Sequence, residues 1–232
     1  ILLDPVSHEI QQVNFDPDNA YSLSNNSIYD IMYDSNGSMW VGNYSGGINF
    51  YNQYDRKFFP VTHVRYKPNT LSNSNVRCFY QDHSGNIWIG TRAGLNRMMD
   101  DKTNFIHYEL NASGDASGNT SVVLSMLENR RDEFWIGTFS TGIWMLDRPS
   151  GMVTRFRHPE DINHTLDNAH VYDLLEDLNG NTWIATLGGV YFLDSSRQVL
   201  KRYTVNNSAI NSNFIRVLME DSSGAIWLGS RE

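Results

Sequence analysis

A tryptophan-centred phrase recurs five times, and this repeat constrains the fold more than any other feature of the sequence. The spacings between successive copies are 48, 47, 48 and 44 residues, and the tryptophans are Trp40, Trp88, Trp135, Trp183 and Trp227. The first copy reads SIYDIMYDSNGSMWVGNYSGGINFYN and the second NVRCFYQDHSGNIWIGTRAGLNRMM. A fixed period of this length indicates a repeat architecture in which each copy is one supersecondary unit.

Each phrase divides into short strands separated by turns. A run rich in Ile, Val, Leu and Met leads into Asp-x-x-Gly, as in Asp34 to Gly37. Asp favours the first position of a type I turn and Gly supplies a left-handed residue, so this tetrapeptide predicts a tight hairpin. The third copy has Asn129 and Asp132 instead, and both residue types are tolerated in such a turn. We attribute the repeated Asp to the turn and the repeated Trp to packing between units.

The rest of the unit completes a four-stranded pattern. The Trp strand carries a small residue two positions further on, a Gly-containing turn follows, and a third strand such as INFYN or VYFLD comes next. A more polar fourth strand, such as KFFPVTH, ends the unit. Four short antiparallel strands repeated in this way are typical of a propeller blade. The sequence therefore predicts an all-β fold, a β-propeller of about five blade equivalents.

The phase of the repeat predicts how the blades divide the chain. We expect a single propeller segment over 1–232, with four complete blades and two half blades. The ranges are 1–24 (second half), 25–72, 73–119, 120–167, 168–211 and 212–232 (first half). The two halves either pair to close a five-bladed ring or belong to a longer propeller, and we favour the second arrangement because both breaks fall inside the repeated motif.

Composition excludes several classes of function. The net charge is -8 and no basic run is present, so we expect no binding of nucleic acid. A single cysteine, Cys78, permits no internal disulfide and fits no zinc motif. His158, His164 and His170 share one predicted loop, but their spacing of six residues is not a known ligand pattern. We therefore expect no metal and no cofactor.

The repeated phrase resembles a known family. The pattern N-x-[IV]-x-x-[IL]-x-x-D-x-x-G-x-[ILM]-W-[IVL]-G-[TS]-x-x-G-[LI] is similar to the two-component regulator propeller repeat. The best matches run from Asn75 to Leu95 and from Asn213 to Ser230. The linking phrases Ser22-Leu23-Ser24-Asn25 and Leu71-Ser72-Asn73 are also similar to that family. This resemblance covers all five copies.

The resemblance implies a role in sensing. Such repeats build the periplasmic region of hybrid two-component systems, which combine a histidine kinase with a response regulator in an inner-membrane protein. The parent would carry two seven-bladed propellers and an immunoglobulin-like domain outside the membrane, and it would act as a homodimer. It would bind an oligosaccharide and control genes for polysaccharide utilisation. The segment itself is predicted to be non-catalytic.

The predicted ligand site lies where the second strand of each blade ends and the first begins. Five residues at these positions vary while the surrounding frame repeats: Tyr44, Arg92, Phe139, His170 and Arg231. Flat rings and fork-shaped donors are the groups that bind sugars and carboxylates. Arg65 and Lys67 lie in the same set of loops, and the mildly basic character of this set favours an acidic sugar. The alternative is that these are ordinary loop residues.

Two other functions stay open. A propeller glycosidase or polysaccharide lyase needs two carboxylates about 5–10 Å apart. Asp115, Glu160, Asp161 and Asp167 lie in the loops concerned but form no recognisable pair. A protein-interaction scaffold would bind a partner chain and no small ligand.

Overall fold

The computed structural model describes residues 2–3, 5–52, 54, 57–110, 121–161, 163, 166–167 and 169–231, with the side chains of Leu2 and Gln11 left out. Over these residues the chain forms twenty β-strands and no helix. It therefore contains, in the part described, no helix that could cross a membrane.

Sixteen of the strands form four antiparallel sheets, in which each strand pairs with the next along the chain. The first blade is β3 (Ile28–Tyr33), β4 (Met39–Asn43), β5 (Ile48–Asn52) and β6 (Lys57–Val61). The second is β7 (Val76–Gln81), β8 (Ile87–Thr91), β9 (Gly94–Met98) and β10 (Phe105–Tyr108). The third is β11 (Val123–Glu128), β12 (Phe134–Thr138), β13 (Ile143–Asp147) and β14 (Met152–Arg155). The fourth is β15 (Val171–Glu176), β16 (Thr182–Thr186), β17 (Gly189–Leu193) and β18 (Leu200–Tyr203).

Two further pairs complete the set. β1 (Leu2–Leu3) pairs with β2 (Ile10–Gln11), and β19 (Ile215–Glu220) pairs with β20 (Ile226–Ser230). The predicted all-β propeller fold, with four complete blades and two halves, is confirmed. The chain divides into two compact units, Ile1–Arg92 with Asn96–His107, and Ala93–Leu95 with Tyr108–Glu232. The first unit holds β1, β2, the first blade and most of the second, and the second unit holds the third and fourth blades with β19 and β20.

The hairpin turns follow the prediction. The Gly37 N–H donates to the Asp34 carbonyl at 2.8 Å, and Gly37 has a φ of 77°. The same bond joins each Gly of the motif to its Asp in the second, fourth and fifth copies. In the third copy Asp132 takes the left-handed position with a φ of 64° and donates to the Asn129 carbonyl at 3.0 Å. The variant sequence therefore makes the same turn.

The repeated Asp has a second role that its place in the turn conceals. The Trp40 indole N–H donates to Asp34 Oδ2 at 3.0 Å, while Asp34 Oδ1 accepts the backbone N–H groups of Asn36 and Ser38. The same indole-to-carboxylate bond occurs in three other copies, as Trp88 to Asp82, Trp183 to Asp177 and Trp227 to Asp221. In the third copy Asn129 stands in place of Asp, and Trp135 Nε1 is buried with no hydrogen-bond partner among the described residues. The side chain thus fastens the turn to the next strand.

The tryptophans pack where one blade meets the next, as predicted. In the first unit Trp40 is 1% exposed and belongs to a cluster that includes Leu71 and Val76, which lie just before and within the second blade. In the second unit Trp135 clusters with Leu166 and Val171 in the same manner. The small residue after the Trp is required by this packing, because a Cβ at Gly42 would lie 2.8 Å from Val76 Cγ1.

Hydrogen bonds from main-chain N–H groups to side-chain oxygens also join neighbouring blades. Each first strand has a bulge at its start, and in β3 the bulge places Asp30 so that its carboxylate accepts the N–H of Phe79 in the second blade at 2.7 Å. Asp173, at the same position of β15, accepts the N–H of Leu218 in β19 at 2.8 Å. At the opposite end of the first strands, the Ser35 N–H donates to Gln81 Oε1 at 2.8 Å. These bonds fix the register of one blade against the next within each unit.

Candidate functional site

The predicted site residues occupy equivalent positions of their blades. Tyr44, Arg92, Phe139 and Arg231 each follow the second strand directly, and their backbone N–H groups donate at 2.9 to 3.1 Å to the residue immediately before the first strand of the same blade. The acceptors are the carbonyls of Ser27, Asn75, Val122 and Phe214. His170 directly precedes β15, and its carbonyl accepts the N–H of Leu187 at 3.3 Å. The end of the second strand therefore lies beside the start of the first, as the sequence predicted.

In the first unit two tyrosines and an arginine form a cluster at this position. The ring centroids of Tyr29 and Tyr44 are 5.8 Å apart. The Arg77 guanidinium lies 4.3 Å from the Tyr29 centroid and 5.8 Å from that of Tyr44. Tyr29 is 46% exposed and Tyr44 is 44% exposed, so both rings are accessible to a ligand. Arg77 comes from the second blade, and its contact with Tyr29 bridges the two blades.

In the second unit a longer ribbon of rings occupies the corresponding positions. Phe139 and His170 have ring centroids 4.0 Å apart, and His170 meets Tyr172 edge-on at 6.5 Å. Tyr172 packs against Phe214 at 5.1 Å. The Arg216 guanidinium lies 5.0 Å from the Tyr172 centroid and 5.6 Å from that of Phe214. The ribbon joins residues from the third blade, the fourth blade and β19.

A cavity adjoins this ribbon at His170. It has a volume of about 240 Å³ and is lined by His170 together with Leu187, Tyr191 and Arg202, among others. Pockets for drug-sized ligands begin at about 300 Å³. The cavity is therefore smaller than a typical drug-sized pocket.

The two clusters share one register that sequence reasoning missed. Tyr29, Arg77, Tyr172 and Arg216 are all the second residue of a first strand, in β3, β7, β15 and β19 respectively. The preceding residue is buried in β7, β15 and β19, so alternation along the strand turns the second side chain the other way. In β11 this position is Leu124. The sequence signal that could have identified these residues is the variation in residue type at this one strand position between the copies.

The five predicted residues divide between the two units. Tyr44 joins the cluster of the first unit, and Phe139 and His170 join that of the second. Arg92 and Arg231 are exposed at the same end of their blades, outside both ring clusters as far as the described residues go. The role of all five residues in ligand binding stays a prediction.

The carboxylates considered for catalysis hold the structure of their loop. Asp161 Oδ2 accepts the Leu166 N–H at 2.8 Å, and Glu160 Oε2 accepts the Leu200 N–H at 2.7 Å. Asp167 lies 3.7 Å from Arg157 Nε. Asp115 lies outside the described residues. No pair of free carboxylates is therefore formed by the three that the structure describes.

Two other carboxylates have raised pKa values, which is a common sign of a reactive group. Burial raises the pKa of Asp30 and of Asp173 above the usual range, against the lowering effect of two backbone N–H bonds in each case. In both residues one oxygen serves the neighbouring blade and the other accepts the N–H of the next residue. Their hydrogen bonding is thus that of a structural link.

The histidines of the 157–170 loop have separate partners. His158 Nδ1 accepts the Glu160 N–H and His158 Nε2 lies 3.1 Å from the Arg197 carbonyl, while His170 stacks on Phe139. His164 lies outside the described residues. In the described part of the chain no three His, Cys, Asp or Glu side chains come together in a way that could hold a metal ion.

A family model matches three of the five copies of the repeat. The model of the two component regulator propeller matches residues 22–45, 70–93 and 209–232. Each matched segment runs from the linking loop through the first two strands, and so includes the Asp-x-x-Gly turn and its Trp. Three of the five copies thus match the two component regulator propeller repeat. Among curated protein sequences, none matches the chain significantly.

Solved structures with similar folds include extracellular domains of hybrid two component systems. The extracellular domain of the hybrid two component system BT3049 from B. thetaiotaomicron is 27% identical with a TM-score of 0.71, over 90% of this chain and 27% of that one. That of BT4673 from the same organism is 22% identical with a TM-score of 0.74, over 88% and 26%. This chain therefore spans about a quarter of each.

The fold is also found in an enzyme. Virginiamycin B lyase from Staphylococcus aureus, in a catalytically inactive form with quinupristin, is 14% identical with a TM-score of 0.67, over 90% of this chain and 66% of that one. At this identity the likeness concerns the fold alone, because one fold hosts unrelated functions.

Proposed function

We propose that this regulator propeller segment belongs to the periplasmic sensor region of a hybrid two-component system and binds an oligosaccharide there. The repeat type and the likeness to the extracellular domains of BT3049 and BT4673 support the sensor role. In the proposed parent, an inner-membrane histidine kinase, ligand binding controls genes for polysaccharide utilisation.

The observation that carries the ligand proposal is the presence of accessible rings and guanidinium groups at one end of the blades. Tyr29 and Tyr44 offer ring faces that are nearly half exposed, and Phe139 is 44% exposed. A sugar ring presents C–H groups on one face, which pack on an aromatic face, while its hydroxyls need donors and acceptors at the rim. The clusters supply both kinds of group from strands held rigidly by the blade.

A binding role fits these positions better than catalysis. The described acidic side chains of the 157–170 loop each support a backbone N–H or an arginine, as set out above. Glycoside hydrolysis needs two carboxyl groups directed at one glycosidic bond. In the proposed mechanism the segment therefore acts through affinity: a ligand that binds one arrangement of the sensor more tightly shifts the population towards it. The neighbouring propeller and immunoglobulin-like domains and a second copy of the protein are the proposed partners in that rearrangement.

The test is calorimetric titration of a panel of plant and host oligosaccharides into the protein, followed by variants. For an oligosaccharide that binds, Tyr44→Ala and Phe139→Ala should each weaken binding about tenfold, or about 1.4 kcal/mol. Tyr54→Ala is the matched control, because Tyr54 is 88% exposed and lies outside both clusters.

Two outcomes contradict the proposal. If no oligosaccharide of the panel binds while a partner chain is captured, the scaffold function replaces it. If an oligosaccharide is cleaved on incubation with the protein, the segment is an enzyme, and product formation by chromatography would reveal this.

A further inference from the structure

Two tyrosine–arginine pairs repeat the same geometry in the two units. In each pair the tyrosine is the second residue of a first strand, and the arginine is the second residue of the first strand that follows in the next repeat: Tyr29 with Arg77, and Tyr172 with Arg216. The guanidinium lies 4.3 Å from the ring centroid in the first pair and 5.0 Å in the second. A further ring flanks each guanidinium, at 5.8 Å for Tyr44 and 5.6 Å for Phe214.

The arginines of the two pairs have no carboxylate partner among the described residues. Arg130, Arg148, Arg157 and Arg197 each form an ion pair with a carboxylate. Within the described residues, by contrast, Arg77 and Arg216 have no carboxylate within 4.0 Å. The same is true of Arg92 and Arg231, which are exposed at the same blade end.

Arg77 carries a second mark of an incomplete site. Its Nε atom is buried and has no hydrogen-bond partner among the described residues. A buried guanidinium group without an acceptor is destabilising, and stacking on an aromatic ring offsets only part of that loss. An anionic oxygen placed in the plane of the guanidinium group would complete its bonding, because this fork binds carboxylate and sulfate through two parallel hydrogen bonds.

We infer that each tyrosine–arginine pair is, within its own unit, a subsite for one anionic sugar, so that each unit binds acidic sugars bearing carboxylate or sulfate groups. The arginine binds the anion and the tyrosine packs on the sugar ring. This inference rests on the proposed function, since it assumes that this end of the blades binds a glycan. Arg92 and Arg231 add long-range attraction from their exposed positions.

The experiment compares matched probes that differ in charge alone. Tetragalacturonate is titrated beside its fully methyl-esterified form, and a chondroitin sulfate tetrasaccharide beside its desulfated form, with cellotetraose as a neutral reference. We expect at least one acidic probe to bind tenfold or more tightly than its less charged counterpart. The first comparison isolates the carboxylate and the second isolates the sulfate. Raising the salt concentration from about 50 mM to about 500 mM should weaken binding of the acidic probe only.

Variants then test whether the arginines of the two pairs cause the preference for acidic probes. Arg77→Gln and Arg216→Gln should each weaken the acidic probe at least tenfold and leave cellotetraose unchanged, whereas Arg77→Lys should lie between, since it keeps the charge and loses the fork. Arg130→Gln is the control, because Arg130 is paired with Glu176. Circular dichroism and melting temperature identify a variant that fails to fold, in which case the lysine variant and the salt dependence decide.

The outcomes separate this inference from the proposed function. If neutral or esterified probes bind as tightly as acidic ones, and Tyr44→Ala weakens them, the sensor binds glycans but the anionic subsites are refuted. If Arg77→Gln and Arg216→Gln leave the affinity of an acidic probe unchanged, the subsites are also refuted. If no probe and no member of the wider panel binds, the proposed function itself fails.

Discussion

Replacing Asp34 with Asn should destabilise the first unit, because it leaves one buried hydrogen-bond donor without an acceptor. The amide oxygen of Asn can still accept the backbone N–H groups of Asn36 and Ser38, so the turn itself is kept. The amide nitrogen then faces the indole N–H of Trp40, and two donors meet where a donor and a carboxylate oxygen lay 3.0 Å apart. Trp40 is 1% exposed, so water cannot take the place of the lost oxygen.

The magnitude follows from the burial of that donor. A buried donor left without a partner costs about 1–3 kcal/mol, and the lost bond was to an ionised group, so we expect about 2 kcal/mol. For a chain of this size each kcal/mol lowers the melting temperature by about 2–4 °C. Urea-induced unfolding, followed by tryptophan fluorescence and calorimetry, measures the change in the free energy of unfolding. The third blade already contains this arrangement, with Asn129 and an unpartnered Trp135 Nε1, so the variant is expected to fold.

Asp221→Asn is the matched control, because it changes the same motif where the indole is open to water. Trp227 is 60% exposed, and solvent can replace the carboxylate oxygen that its N–H loses. We expect no measurable change in stability for this variant. An equal loss in both variants would show that the turn is damaged, and no loss at Asp34 would refute the assigned role of the indole bond.

Two further predictions concern the third blade and a turn of the second. The double variant Asn129→Asp with Glu133→Asn keeps the net charge and should raise stability by about 1 kcal/mol in the same urea assay. It restores an acceptor for the buried Trp135 N–H, a gain of about 2 kcal/mol, and it loses the partly exposed ion pair of Glu133 with Arg197, a cost of up to about 1 kcal/mol; unchanged or lower stability would contradict this. Hydrogen bonds from Asn104 and nearby groups lower the pKa of Asp101 to about 2. The ionised Asp101 carboxylate therefore stabilises the fold at pH values above its unfolded pKa of about 3.9, and this stabilisation is lost as the pH falls through about 2. Carboxyl ¹³C titration should find that Asn104→Ala moves this pKa upward, and no movement would exclude the side-chain bond as its main cause.

Much of the architecture could be predicted because its determinants recur at fixed positions. The Asp and Gly of each turn and the small residue after each Trp identify themselves by repetition, and they decide where strands start and stop. The position of Tyr44 and Phe139 at the end of a second strand followed from the same frame. That these residues lie beside the start of the first strand is a property of any four-stranded antiparallel blade.

The remainder of the site lies in residues that local pattern cannot distinguish. Tyr29, Arg77 and Tyr172 lie inside strands. The alternation of apolar and polar residues along a strand accommodates tyrosine and arginine without any function, so it does not single these residues out. Their proximity depends on the register between blades, which no single repeat encodes. The indole bond to Asp34 is hidden in the sequence for a different reason. The turn alone accounts for an aspartate at this position, so the sequence carries no separate signal for the bond made by its second oxygen.

The hydrogen bonds between blades have a consequence for how such repeats diversify. In five of them the donor is a main-chain N–H, supplied by Phe79 and Leu218 to aspartates, and by Ser35, Arg130 and Leu178 to longer side chains. Any residue except proline can donate in this way, so the identity of the donor residue is under no selection from the contact. If the neighbouring blade is mutated or replaced by another blade, the hydrogen bond between the blades still forms without a compensating mutation. Correlated substitutions would not reveal these interfaces, because half of each contact is invisible in a sequence.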